Sequence, residues 1–204
     1  GHKSADYETL IRWWNLNVFN RPLIIGEDIE RTVKYTAPGE HNGDQMEMKF
    51  GLQDELGNVT GSVLWYSRLA VDNHGNYGYR LQSNYWRRPV LQPSMTFIDD
   101  SCPDKVKKLK CLKDEGERVL FWLAPEGSTW KDKAVKYVVY RFMNKEKVDL
   151  EDASKIVAIT TRTYYKIPPV TDSGKHKKQK YYDYFTALNR LHNESKEVKV
   201  KVKY

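Results

Sequence analysis

The chain closes on Val198-Lys199-Val200-Lys201-Val202-Lys203-Tyr204, a strict alternation of apolar and basic side chains. A helix would scatter those valines around its circumference. A strand sends successive side chains to opposite faces, so the valines gather on one side and the lysines on the other. The segment is therefore predicted as a strand, with Val198, Val200 and Val202 on a core and Lys199, Lys201 and Lys203 in an outward row.

Period-two runs recur through most of the 204 residues. Ile29–Ala37 is rich in β-formers. Met46–Leu52 and Val59–Leu69 alternate around the turn Asp54–Asn58 and read as a hairpin, with Val63 and Trp65 on one face. Tyr77–Trp86 alternates after the turn Asp72–Asn76. Met95–Ile98, Arg118–Leu123, Ala134–Met143 and Lys155–Ile167 continue the pattern, and Pro168-Pro169 stops it. Helical spacing is confined to an N-terminal helix over about residues 5–19, capped by Ser4 or Asp6, and a helix over Tyr182–His192. The expected fold is mainly β: an antiparallel sandwich or barrel of about eight to nine strands, with an N-terminal helix and a helix before the last strand. No linker-like stretch interrupts the chain, so 1–204 reads as a single β-rich domain. Lys105–Gly116 and Met143–Ala153 are the two places where a boundary would fit.

Charge is concentrated at the end. Residues 171–204 carry eight Lys and one Arg against four acids, most of the formal +7. Lys175, Lys177, Lys178 and Lys180 run into Tyr181, Tyr182 and Tyr184, so cations adjoin rings that can stack on bases. The same residues also fit a solvated connector and a packed helix, and a Lys row also protects an edge strand from aggregation. A second cluster, Tyr77, Tyr79, Arg80, Tyr85, Trp86, Arg87 and Arg88, fits either a base-stacking or glycan-binding platform or a barrel wall with arginines on its rim. Lys105, Lys107, Lys108, Lys110 and Lys113 form no clean stripe, and Cys102–Gly116 reads as an exposed loop or short helix.

Cys102 and Cys111 are spaced for a disulfide that would clip this Lys-rich loop. The sequons Asn58-Val59-Thr60 and Asn193-Glu194-Ser195 would suit a secreted protein; free thiols would suit a cytosolic or viral one. None of the five histidines lies in a metal-ligand or triad-like motif, and no P-loop, GxSxG, HExxH or GxGxxG occurs. No cofactor or metal is implied. No apolar run reaches the roughly 18 residues that a transmembrane helix needs. The chain starts at Gly1, which reads as a processed end, a domain cut or a tag remnant.

The leading expectation is a non-enzymatic basic protein that binds nucleic acid or another polyanion through Lys175, Lys177, Lys178, Lys180, Tyr181, Tyr182, Tyr79, Arg80, Arg87 and Arg88. A viral or self-assembling structural component is one form of it. The alternatives are a secreted one-disulfide barrel holding a small apolar ligand, and a protein-interaction domain such as an effector or assembly factor. A homo-oligomer or protein partner fits each, and the compartment stays open between intracellular or viral and secreted.

Overall fold

The computed structural model describes residues 6–33, 45–114, 117–168 and 180–203. They divide into two compact units, Gly1–Arg87 and Arg88–Tyr204. The division falls within the Arg/aromatic segment rather than at either boundary expected from composition. The fold is mainly β, with nine strands in three sheets among the described residues.

The first unit is α/β. Helix α1 (Tyr7–Leu16) starts at Asp6, whose carboxylate accepts the Thr9 N–H at 2.9 Å. The chain leaves it through left-handed Phe19 and Asn20 and enters β1 (Leu23–Asp28), which passes into the one-turn helix α2 (Ile29–Val33). Helix α3 (Met46–Glu55) leads to β2 (Val59–Trp65), and α4 (Ser67–Val71) and α5 (Tyr77–Arg80) follow. β1 and β2 pair in parallel. Helices α1 and α3 lie on one side of the pair: Ile11, Leu52 and Leu56 pack with Ile25 and Val59. Met46 and Phe50 join Ile29, Tyr77 and Leu81, with Leu64 against them.

Three expectations fail in this unit. Met46–Leu52 is helical because Met46, Lys49, Phe50 and Gln53 recur at three- and four-residue intervals and are all buried, whereas Met48, which completed the alternation, is exposed. The expected hairpin is therefore a helix–strand crossover. The described part of Ile29–Ala37 is α2, and Tyr77–Trp86 is coiled into short helical turns, with Tyr77 and Leu81 four apart on the core side.

The second unit is a β-sandwich. Strands β3 (Lys107–Asp114), β4 (Glu117–Leu123) and β7 (Tyr164–Ile167) form one antiparallel sheet; β6 (Ile156–Thr160), β5 (Lys136–Met143), β8 (Lys180–Leu188) and β9 (Val198–Lys203) form the other, in that order. Leu120 and Trp122 from the first sheet meet Tyr137, Val139, Phe185 and Val202 from the second. Trp122 is the hub, with ring centroids 5.3 Å from Tyr137 and 5.1 Å from Phe185. The far face of the larger sheet is also covered: Val138, Tyr140, Phe142 and Tyr184 pack with Leu91, Leu150 and Ala153.

The last strand forms as its alternation dictates. Val202 is buried, Val198 and Val200 pack on the core, and Lys199 and Lys201 are exposed on an edge strand. The expected helix before it is instead β8. That strand lies between β5 and β9 and is buried on both faces, so its sequence loses alternation, and Phe185 and Leu188 imitate helical spacing. The run Lys155–Ile167 splits at Thr161–Thr163, where the chain crosses from one sheet to the other. The Lys-rich segment expected as a loop is β3, its alternation broken by a bulge at left-handed Lys108. Met95–Ile98 forms a turn, not a strand.

Candidate functional site at the ends of the parallel strands

Where they are described, the residues expected to form a basic binding surface fall on separate elements of the two units. Lys175, Lys177 and Lys178 lie outside the described residues, and Lys180 opens β8 opposite Lys203. Tyr181 and Tyr182 are half-buried strand residues. The Lys199 ammonium sits 3.9 Å from the Tyr182 ring centroid, so the ring face is occupied. In the other cluster Tyr77 is fully buried, and Tyr85 stacks on Phe50 at 4.7 Å. Tyr79 and Trp86 remain exposed beside an open groove of about 520 Å³ that Val71, Asn73 and Gln82 also line. Arg80 closes α5, and Arg87 and Arg88 sit exposed where the two units divide. Cys102 and Cys111 are exposed free thiols, Cys111 held in the β3 ladder opposite Leu120, so the disulfide is not formed. The sequon residue Asn193 is buried. Its amide nitrogen donates to the Asp99 and Ser101 carbonyls at 2.7 and 2.9 Å, which leaves no room for a glycan.

A different set of residues converges in the first unit. In parallel α/β sheets, ligands bind at the carboxyl ends of the strands, because loops and helix starts open there. β1 ends on Glu27-Asp28 and β2 on Leu64-Trp65, with Asp28 opposite Trp65 and Glu27 opposite Leu64 in the register. Alternation sends the two neighbouring acids to opposite faces.

Glu27 turns toward the helices and is fully buried. Its Oε1 accepts from Tyr7 Oη and, at 2.6 Å, from Gln53 Nε2, and its Oε2 lies 3.2 Å from Lys49 Nζ. Ser62 Oγ donates to Gln53 Oε1 at 2.6 Å, and Lys49 donates to Thr32 Oγ1 at 2.8 Å. Burial beside this carboxylate pushes the Tyr7 hydroxyl far above the usual tyrosine range. Glu27 is thus committed to holding α1 and α3 against the sheet.

Asp28 and Trp65 share the opposite face. The Asp28 carboxylate accepts the Arg31 N–H at 3.0 Å, which caps α2, and keeps the Arg31 guanidinium within 3.4 Å while remaining about 39 % exposed. Trp65 is 69 % exposed, and Tyr66, joined to it by a cis peptide bond, is 55 % exposed. Their rings stand edge to face with centroids 6.4 Å apart. Two large aromatic faces beside one accessible carboxylate suit a polyhydroxylated ligand: C–H faces of a sugar ring stack on the indole, and its hydroxyls donate to the acid. Across β1 and β2, Asp28 supplies the one carboxylate on this face.

Sequence reasoning placed Val63 and Trp65 together on one face but missed β1. The signal was available: Leu23-Ile24-Ile25-Gly26 is a short apolar run of the kind a buried parallel strand carries, ending in two acids.

No known family model matches the chain. It is similar to a curated protein, glycosyl hydrolase YngK of Bacillus subtilis (strain 168), with 27 % identity over 199 residues. The match covers 96 % of this chain and 38 % of the relative, so the chain spans well under half the relative's length. Among solved structures it has weak likenesses to the spore cortex lytic enzyme SleM of Clostridium perfringens (TM-score 0.35, 11 % identity, 50 % of this chain and 28 % of that one) and to an Fn3-like protein from Clostridium thermocellum (TM-score 0.32, 23 % identity, 48 % and 92 %).

The Bacillus relative overturns the expected function. A chain that aligns along almost its whole length with a glycosyl hydrolase is not explained as a nucleic-acid or polyanion binder, a viral structural component, an apolar-ligand barrel or an effector domain. Of the clustered charge, Lys199 and Lys201 are described on an edge strand, with the Lys199 ammonium over the Tyr182 ring. Among the described residues no helix is long and apolar enough to cross a membrane.

Proposed function

We propose that this chain is part of a carbohydrate-active hydrolase and that its parallel-strand ends contact the sugar, with Trp65 and Tyr66 as stacking surfaces and Asp28 as a hydroxyl acceptor. The observation that carries this reading is the register pair Asp28–Trp65 at the carboxyl ends of β1 and β2, both accessible on the same face. The similarity to a glycosyl hydrolase supports it. Glycoside hydrolysis commonly uses two carboxyl groups roughly 5–9.5 Å apart. The strands of this unit offer one on the free face, because Glu27 is spent on Lys49 beneath the sheet. The chain is therefore read as contributing substrate contacts, with the acid–base pair requiring a group from outside β1 and β2. The sandwich unit is read as an accessory module, since it is built around two cores of its own.

Affinity electrophoresis through gels containing xylan, glucomannan or glycol chitin tests this reading. Retardation by at least one polysaccharide, lost in Trp65→Ala and reduced in Asp28→Asn, is expected. Equal mobility of all three proteins in every gel overturns it.

A further inference from the structure

Among the described residues nothing packs over one face of the β1–β2 pair. Ile24 is 51 % exposed and Val63 57 % exposed, and both lie on the side away from α1 and α3 together with Trp65. Gly26 and Gly61 lie on this side too, opposite Val63 and Ile24 in the register, and a Cβ built on either meets no atom within 4 Å. Parallel strands are found almost without exception in sheets covered on both faces, because their side chains are apolar on both sides. A sheet of two parallel strands with one apolar face in water is not a complete folding unit.

The way the chain winds says what kind of cover is missing. Right-handed crossovers place each connecting helix on one face of the sheet. Here the helix before β1 and the helix between β1 and β2 both lie on the same face, and the two strands are neighbours. A sheet wound repeatedly to the same side carries all its helices outside and curls closed on its own other face, whereas a doubly wound sheet alternates sides. Beside β1 an apolar cleft of about 490 Å³, lined by Leu10, Trp14, Leu23 and Ile24, is open for the next strand and helix. Most of the Bacillus relative's length, 62 % of it, lies outside the match, so such a protein has the chain to supply further units.

We infer that β1 and β2 are two staves of a closed parallel barrel, and that the bare face of Ile24, Gly26, Gly61 and Val63 is barrel interior, filled by apolar side chains of further parallel strands from a longer polypeptide. The glycines leave volume for larger residues on facing strands, since interior layers are packed to the density of a core. The strand-end site then opens at the mouth of the barrel, and the remaining strand ends encircle it. This inference rests on the sheet and on the relative's length, not on any sugar contact, so it stands or falls separately from the sugar reading.

The test places the same charges in two contexts. Ile24→Lys with Val63→Lys is made in the 204-residue chain, and Lys is put at the two aligned positions of the full-length Bacillus relative. In this chain the face is in water, so the melting temperature is expected to hold within about 3 °C. In the relative the same positions are interior, and soluble folded yield is expected to fall at least about tenfold while Leu and Ile at those positions keep it, because buried unpaired ammonium groups are not tolerated. Full tolerance of Lys by the relative overturns the inference. So does equal damage in both proteins, since the face would then already be buried here.

Discussion

Glu27 and Lys49 face each other across the interface between β1 and α3, 3.2 Å apart, with the carboxylate wholly out of water and the lysine nearly so. Tyr7, Gln53, Thr32 and Ser62 close the network around them, drawing on both helices and both strands. A polar knot in the middle of an otherwise apolar layer specifies which way α3 sits on the sheet, since no other rotation of the helix satisfies both charges.

Removing one partner leaves the other charge buried and unpaired. Lys49→Met is expected to cost the first unit about 3–5 kcal/mol, and Glu27→Leu a similar amount, while the double substitution recovers most of the loss. Urea denaturation of the three variants, followed by tryptophan fluorescence, gives the coupling directly. Additive losses in the double variant would show that the pair is not an energetic unit.

In the sandwich, neighbouring aromatic residues have opposite fates. Trp122 is buried between Tyr137 and Phe185, and Phe121, one position earlier, is 42 % exposed. Trp122→Ala is expected to cost about 3–5 kcal/mol and Phe121→Ala less than about 1 kcal/mol. Chemical denaturation of the two single variants checks the ratio; comparable losses would mean that Phe121 is not a solvent-facing residue.

The contrast shows where the sequence is legible. Arg118–Leu123 and the closing Val/Lys run keep a solvent-facing side whose alternation survives, and they form β4 and β9 as read; Ala134–Met143 forms β5 although both its faces are covered, because its run of Val and Tyr marks it as a strand. β8 was misread because a strand covered on both faces has no polar side to mark its period. Met46–Leu52 was misread because its apolar residues Met46, Met48, Phe50 and Leu52 alternate, while the buried helical face is completed by Lys49 and Gln53, polar residues whose burial is a tertiary fact. The strand-end site was out of reach for the same reason. Asp28 and Trp65 are 37 positions apart, and parallel pairing through a helical crossover leaves no local trace of which residues meet.

Glu194 anchors the turn between β8 and β9, accepting from Tyr140 Oη at 2.8 Å and from the Thr186 hydroxyl. Burial pushes its carboxyl above the usual glutamate value, against the pull of those two donors. A carboxyl whose folded-state pKa is raised binds its proton more tightly when folded. It therefore adds stability below its unfolded value, and that contribution is lost as pH rises through the folded value. The wild-type sandwich is expected to lose more stability than Glu194→Gln as pH rises from about 4 toward neutrality. Thermal melts of the two proteins across that range decide it; parallel curves would rule out the contribution.

Asp99 gives the opposite sign in the same unit. The Lys131 ammonium and the Ser101 side chain and N–H hold its carboxyl down at about pKa 2, and the segment it belongs to is pinned by Asn189 and Asn193 through the Ser101 carbonyl. A depressed pKa contributes stability above the unfolded value of 3.8, which is lost as pH falls toward the folded value. The difference in melting temperature between wild type and Asp99→Asn is therefore expected to be constant from neutrality to about pH 5 and to shrink between about pH 4 and 2. Lys131→Met is expected to narrow that window from the acid side by letting the Asp99 carboxyl relax toward its ordinary value. A wild-type advantage that persists undiminished to pH 2 would show that Asp99 acts through geometry alone, with no charge involved.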